Sequence, residues 1–173
     1  AEIVAHITSC DKQKGDVDRI INTYLEENID SFLIIRGDCP TNEFLIDLDE
    51  LEDEINTEFK HSSDLIEYIN TKNVQRIGFG AFPGGHPEDK NKEQTLSTFK
   101  KKVEAGGSFS ATQLFFDINE YKNLYKQIRV FDNTTPIYAG IMPLVSLVQA
   151  ERFAEICDID LPEKLREGFL DCK

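Results

Sequence analysis

Five times along this chain a short run of apolar and β-branched residues gives way to a longer stretch in which apolar residues recur every three or four positions. No other feature constrains the fold as strongly. Runs of strand length alternating with amphipathic stretches of helical length build βαβ units, and such units close on a parallel sheet with helices packed against it. The spacing predicts strands at Glu2–Thr8, Ser31–Ile35, Gln75–Phe82, Ala111–Phe116 and Ile137–Ile141. It predicts helices at Asp16–Glu27, Ser63–Asn70, Glu93–Ala105, Ile118–Ile128, Ser146–Ile156 and Pro162–Leu170. Gly106-Gly107 supplies a stop after the third helix, and Pro162 stands at a first-turn position of the last. The expected fold class is therefore α/β with parallel strands, either a doubly wound sheet or a (βα) barrel.

Composition narrows the partners. Nineteen basic against thirty-two acidic residues leave a net charge of −13 over 173 residues. A surface of that sign repels phosphate backbones and anionic lipid, so neither nucleic acid nor a membrane is an expected partner. No apolar run reaches the ~20 residues of a membrane span, and no basic segment followed by an apolar one marks a leader. Residues 47–58 carry seven of the negative charges without one positive. They lack the alternating carboxylates and turn glycine of a calcium loop, so they read as a solvated acidic insertion. Cys10, Cys39, Cys157 and Cys172 form no C-x-x-C pair. A reduced, cytoplasmic protein is the simplest expectation, and three scattered histidines give no metal site.

In parallel α/β proteins ligands gather at the carboxyl ends of the strands, and the chemically distinctive residues cluster there. His6 ends the first strand, as a core residue or a ligand. Arg36-Gly37-Asp38 follows the second; a charged pair at a strand terminus is costly to bury unless it serves a ligand. Phe82-Pro83-Gly84-Gly85-His86 follows the third, either a Pro/Gly turn with an incidental histidine or a binding loop. Lys100-Lys101-Lys102 is the densest basic patch, a solvated face or a phosphate anchor. Gln113 places an amide in an apolar strand, where it must find a partner. The glycines do not form the G-x-G-x-x-G dinucleotide fingerprint.

Taken in order, A-H-I-T-S-C, I-I-R-G-D-C-P, A-F-P-G-G-H-P-E, K-K-K-V-E-A-G-G, A-T-Q-L-F-F-D, G-I-M-P-L and Q-A-E-R-F-A resemble the motifs of methylenetetrahydrofolate reductases, which are flavoprotein (βα)8 TIM barrels. The resemblance implies a flavin-dependent oxidoreductase that uses FAD and NADH or NADPH to reduce 5,10-methylenetetrahydrofolate. It implies FAD contacts at His6, Arg36, Gly37, Asp38, Ser62, Phe82, His86, Lys101 and Lys102, with Asp38 also acting catalytically beside the flavin and the folate. Gln113, Gln149 and Phe153 are the implied substrate contacts, and a homo-oligomer is the implied assembly. Phe82 stands where the family usually has tyrosine, Thr95 and Thr98 where it has aspartate and asparagine, and Lys101 where it has arginine. By motif order the chain runs from the family's third strand to its seventh helix, so residues 1–173 read as one incomplete barrel domain of about five strand–helix pairs. A full barrel takes ~250 residues. The first, second and last strands, with the general-acid glutamate, fall outside that span. Two other functions fit the residues: a non-catalytic flavin- or folate-binding member, and a (βα)-barrel enzyme acting on a different phosphate-bearing substrate.

Overall fold

A computed structural model describes residues 3–10, 12–37, 58–87, 89 and 91–171. Its elements run β1 (Ala5–Thr8), α1 (Lys14–Glu26), β2 (Ser31–Ile35), α2 (Ser62–Asn70), β3 (Arg76–Ala81), α3 (Lys92–Glu104), β4 (Phe109–Thr112), α4 (Ile118–Ile128), β5 (Ile137–Tyr138), α5 (Leu147–Cys157) and α6 (Glu163–Asp171). The strands hydrogen-bond in chain order, β1-β2-β3-β4-β5. The registers are parallel, with His6 level with Leu33 and Leu33 with Gly78, and Ser110 level with Ile137. The expected α/β architecture is thus observed, as part of a barrel-type sheet. The acidic insertion at 47–58 lies, apart from Glu58, outside the described residues.

Two compact units divide the chain, one comprising residues 1–80 and 100–109, the other 81–99 and 110–173. In the first, alternate residues of each strand face opposite ways. Ala5, Ile7, Phe32, Ile34, Ile77 and Phe79 are buried on one side, together with Val17 and Ile21 of α1 and Leu65, Ile66 and Ile69 of α2. His6, Thr8, Leu33, Ile35 and Gly80 lie on the other side and are half-buried or exposed. One face of this sheet is therefore packed under helices and the other is open, which is how a barrel wall divides its outside from its lumen. A brace ties the two helices: the Tyr68 hydroxyl donates to Asp18 Oδ1 at 2.9 Å and Lys72 Nζ stands 2.8 Å from the same oxygen. The Lys72 and Tyr68 hydrogen bonds hold the Asp18 carboxyl below its ordinary range.

In the second unit Phe99, Phe115, Leu124, Ile128, Ile137, Ala150 and Ala154 are buried. Helix starts follow capping chemistry: Asn119 N donates to the Asp117 carboxylate at 2.8 Å before α4, and Gln149 N donates to Ser146 Oγ at 3.2 Å before α5. Strand β4 corrects one boundary. The apolar Leu114–Phe116 suggested a strand over Ala111–Phe116, but the strand ends at Thr112. Beyond it the Leu114 N–H donates to the Gln113 side-chain oxygen at 2.8 Å, a local bond that substitutes for a ladder bond.

Candidate functional site

The first unit brings together the ends of β1 and β2. Ser9 N donates to the Ile35 carbonyl at 3.0 Å and Cys10 N to that of Arg36 at 2.9 Å, so the two strands stay in register past their formal ends. Gly37 follows with φ +78°, and a Cβ there would stand 2.6 Å from Thr8 Cγ2. Both the left-handed backbone and the close approach require glycine. His6, Arg36 and Gly37 therefore sit at adjacent strand ends, as their positions suggested. Asp38 lies outside the described residues. His6 also lines an open groove of about 450 Å³ with Thr8, Lys12, Arg19 and Tyr24. Lys12, Arg19 and Tyr24 were not expected as site residues, because an isolated cation or tyrosine in or beside an amphipathic helix carries no spacing signal. Ser62, half-buried, opens the first turn of α2, where His61 is the N-cap: its N–H donates to the Asp64 carboxylate at 2.9 Å.

The lysine run divides three ways. Lys100 pairs with Glu104 at 3.8 Å, and Lys101 is exposed. Lys102 is only 8% exposed, and its Nζ donates to the Gly80 carbonyl at 3.0 Å. A buried ammonium retains its charge only when polar groups solvate it, and here a strand carbonyl does so. The joint anchoring role expected for Lys101 and Lys102 thus meets two different environments.

In the second unit Phe82 and His86 meet edge to face, ring centroids 4.5 Å apart. Gly85, with φ +99°, turns the loop by donating its N–H to the Phe82 carbonyl at 3.1 Å. Asp89 fastens it: its carboxylate accepts from His86 N at 3.2 Å and from the Thr95 hydroxyl at 2.5 Å. Gln113 N donates to the Ala81 carbonyl at 2.8 Å, which joins the β4 terminus to that of β3 within this unit. Gln149 and Phe153 lie one turn apart on α5, both half-buried. The Gln149 side-chain oxygen accepts from Val145 N at 2.9 Å, so its outward donor is the amide NH₂.

Cys10 is disulfide-bonded, and this corrects the expectation of reduced cysteines throughout. Cys157 is a free thiol whose pKa burial pushes up. Among the described residues no cluster of His, Cys, Asp or Glu is arranged to hold a metal ion. No described helix is long and apolar enough to cross a membrane.

A parallel α/β wall with its polar residues gathered at the strand ends defines a protein of the (βα)-barrel class. The family model of methylenetetrahydrofolate reductase matches residues 1–173, and the chain belongs to that family. A Saccharomyces cerevisiae protein, methylenetetrahydrofolate reductase 2, is 30% identical over 94% of the chain and 27% of its own length. The Escherichia coli 5,10-methylenetetrahydrofolate reductase is 26% identical over 97% of the chain and 53% of its own length. The chain thus spans about half the length of bacterial relatives and about a quarter of the yeast one. Among solved structures, a Clostridium thermocellum protein described as binding two copies of 5-methyl-5,6,7,8-tetrahydrofolic acid superposes with TM-score 0.54 at 14% identity. The superposition covers 98% of this chain and 75% of the other, and it supports the fold.

Proposed function

We propose that this chain forms the cofactor-bearing part of a flavin-dependent reductase converting 5,10-methylenetetrahydrofolate to 5-methyltetrahydrofolate, with NADH or NADPH as the reductant. The family match along all 173 residues carries the reading, and the folate named for the Clostridium thermocellum protein agrees with it. When bound, FAD supplies the hydride relay between nicotinamide and folate. The residues present fit such a group. In the first unit Arg36 and the buried Lys102 offer positive charge to a pyrophosphate within an otherwise acidic chain, and His6 offers an aromatic edge; taken by itself, the second unit offers the Phe82–His86 pair. Gln113 and Gln149 would offer their amide NH₂ groups to the polar edge of a pterin, and Phe153, on the Gln149 face of α5, would offer a ring for stacking. Asp38 takes the catalytic place beside both ligands in this reading. Where Thr95 replaces the family's aspartate, Asp89 stands hydrogen-bonded to it and returns a carboxylate to the spot. A cytoplasmic homo-oligomer completes the proposal.

The longest native polypeptide carrying this chain should be yellow when purified and should oxidise NADH or NADPH with menadione or the folate as acceptor. A colourless protein that stays inactive after FAD is added rejects the reading.

A further inference from the structure

Two glycines share the open face of β3, and their surroundings explain only one of them. A Cβ at Gly78 would run into the Phe109 ring, which lies across it, so glycine there is a packing requirement. The Arg76 guanidinium in turn covers the outer part of that ring, 5.3 Å from its centroid. Gly80, two residues nearer the carboxyl end, meets no such neighbour: among the described residues a Cβ there has no heavy atom within 4 Å. Its φ is not positive, so backbone conformation does not demand glycine either. Glycine is among the poorest strand formers, and in a strand interior it commonly marks a place where a ligand approaches the backbone closely. The parallel register puts Gly80 on the same face as His6 and Thr8. The Gly80 carbonyl is also the one that holds the buried Lys102 ammonium.

We infer that Gly80 is a specificity-determining floor of the ligand site, a bare backbone on which a planar fused nitrogen heterocycle lies in van der Waals contact. This rests on the reading above, in which two such ring systems, a flavin and a pterin, use the site. A side chain at position 80 would occupy the slot without disturbing the protein's own packing, so binding and stability should separate.

The test uses the longest native polypeptide, with Gly80→Ala, Gly80→Leu and, as a control for added bulk, Gly15→Leu at an uncrowded helical position in the same unit. FAD and 5-methyltetrahydrofolate are titrated separately, and each protein is melted without ligand. Gly80→Leu should weaken one or both ligands by about tenfold or more, with Gly80→Ala intermediate and Gly15→Leu unchanged. The arm affected says which ring lies on the slot. The ligand-free melting temperature of the Gly80 variants should match or exceed that of the wild type, since strand propensity rises and nothing is displaced. Gly80→Leu binding both ligands within about twofold of wild type overturns the inference. So does a Gly80→Leu protein that fails to fold, since position 80 would then be a packing glycine like Gly78. Wild-type protein that binds neither ligand overturns instead the functional reading, and the assignment of the slot with it.

Discussion

Asp132 shows how much one side chain can organise. Its Oδ1 accepts from Thr134 N at 2.9 Å, the Thr134 hydroxyl at 3.0 Å and Thr135 N at 3.2 Å, which closes the turn between α4 and β5. Arg129 clamps the same turn by donating to the carbonyls of Asp132 and Thr135, each at 2.8 Å. Burial alone would raise the Asp132 carboxyl, but the hydrogen bonds from Thr135 and Thr134 outweigh it and bring the pKa down to about 2. A carboxyl depressed in the folded state stabilises that state above its unfolded value near 3.8, and the contribution disappears as pH falls toward 2. Thermal melts at pH 5 and pH 2.5 should therefore differ less for Asp132→Asn than for wild type. Equal pH sensitivity in the two proteins would remove Asp132 from the acid transition. Lys102 belongs to the same scale, given its meaning by the Gly80 carbonyl, an atom from a distant part of the sequence.

Elements divide into those dictated locally and those dictated by neighbours. Helix α5 is of the first kind: Ser146 accepts from Gln149 N, Gln149 accepts from Val145 N, and Ala150 and Ala154 form its buried stripe. Ser146→Ala removes a cap and should cost about 1 kcal/mol in a urea unfolding titration. Because the cap also fixes the first turn, the substitution should weaken folate binding through Gln149 more than FAD binding. An unchanged unfolding midpoint would show the cap to be energetically idle. Local signals of this sort made much of the architecture legible in the sequence. Apolar spacing marked α4 at Ile118–Ile128, the run Ser31–Ile35 marked β2, and Gly106-Gly107 marked the end of α3. Strand β4 was less legible, since its end depends on a side-chain bond from Gln113 that periodicity cannot show. Likewise the rim residues were visible as types at strand ends, whereas the differing fates of Lys100, Lys101 and Lys102 depend on which face of α3 meets β3. Gly80 was legible only as part of a glycine pair that fails the dinucleotide fingerprint, because its significance lies in what does not surround it.

At the scale of the whole molecule, opposed forces act on the sheet edges. Among the described residues β1 and β5 each have one strand neighbour, which leaves a row of peptide groups ready to pair with another chain. Near β5 the apolar side chains of Ile141, Val145 and Val148 are 78%, 82% and 76% exposed, a concentration that favours association. Against it stands the net charge of −13, which makes copies of the chain repel one another. Salt distinguishes the two, because the screening length falls from about 10 Å at 0.1 M to about 3 Å at 1 M while burial of apolar surface persists. The 173-residue chain on its own should therefore show a solution mass above 19.7 kDa by light scattering, rising as salt is increased. Val148→Glu should lower that mass at every salt concentration, since it adds a charge where contact would form. In the longer polypeptide the effect of the substitution measures whether flanking chain covers the same surface: if it does, Val148→Glu there lowers stability instead of self-association. A 173-residue chain that stays at 19.7 kDa throughout the salt series would mean that the charge prevails and that the edges are protected by other means.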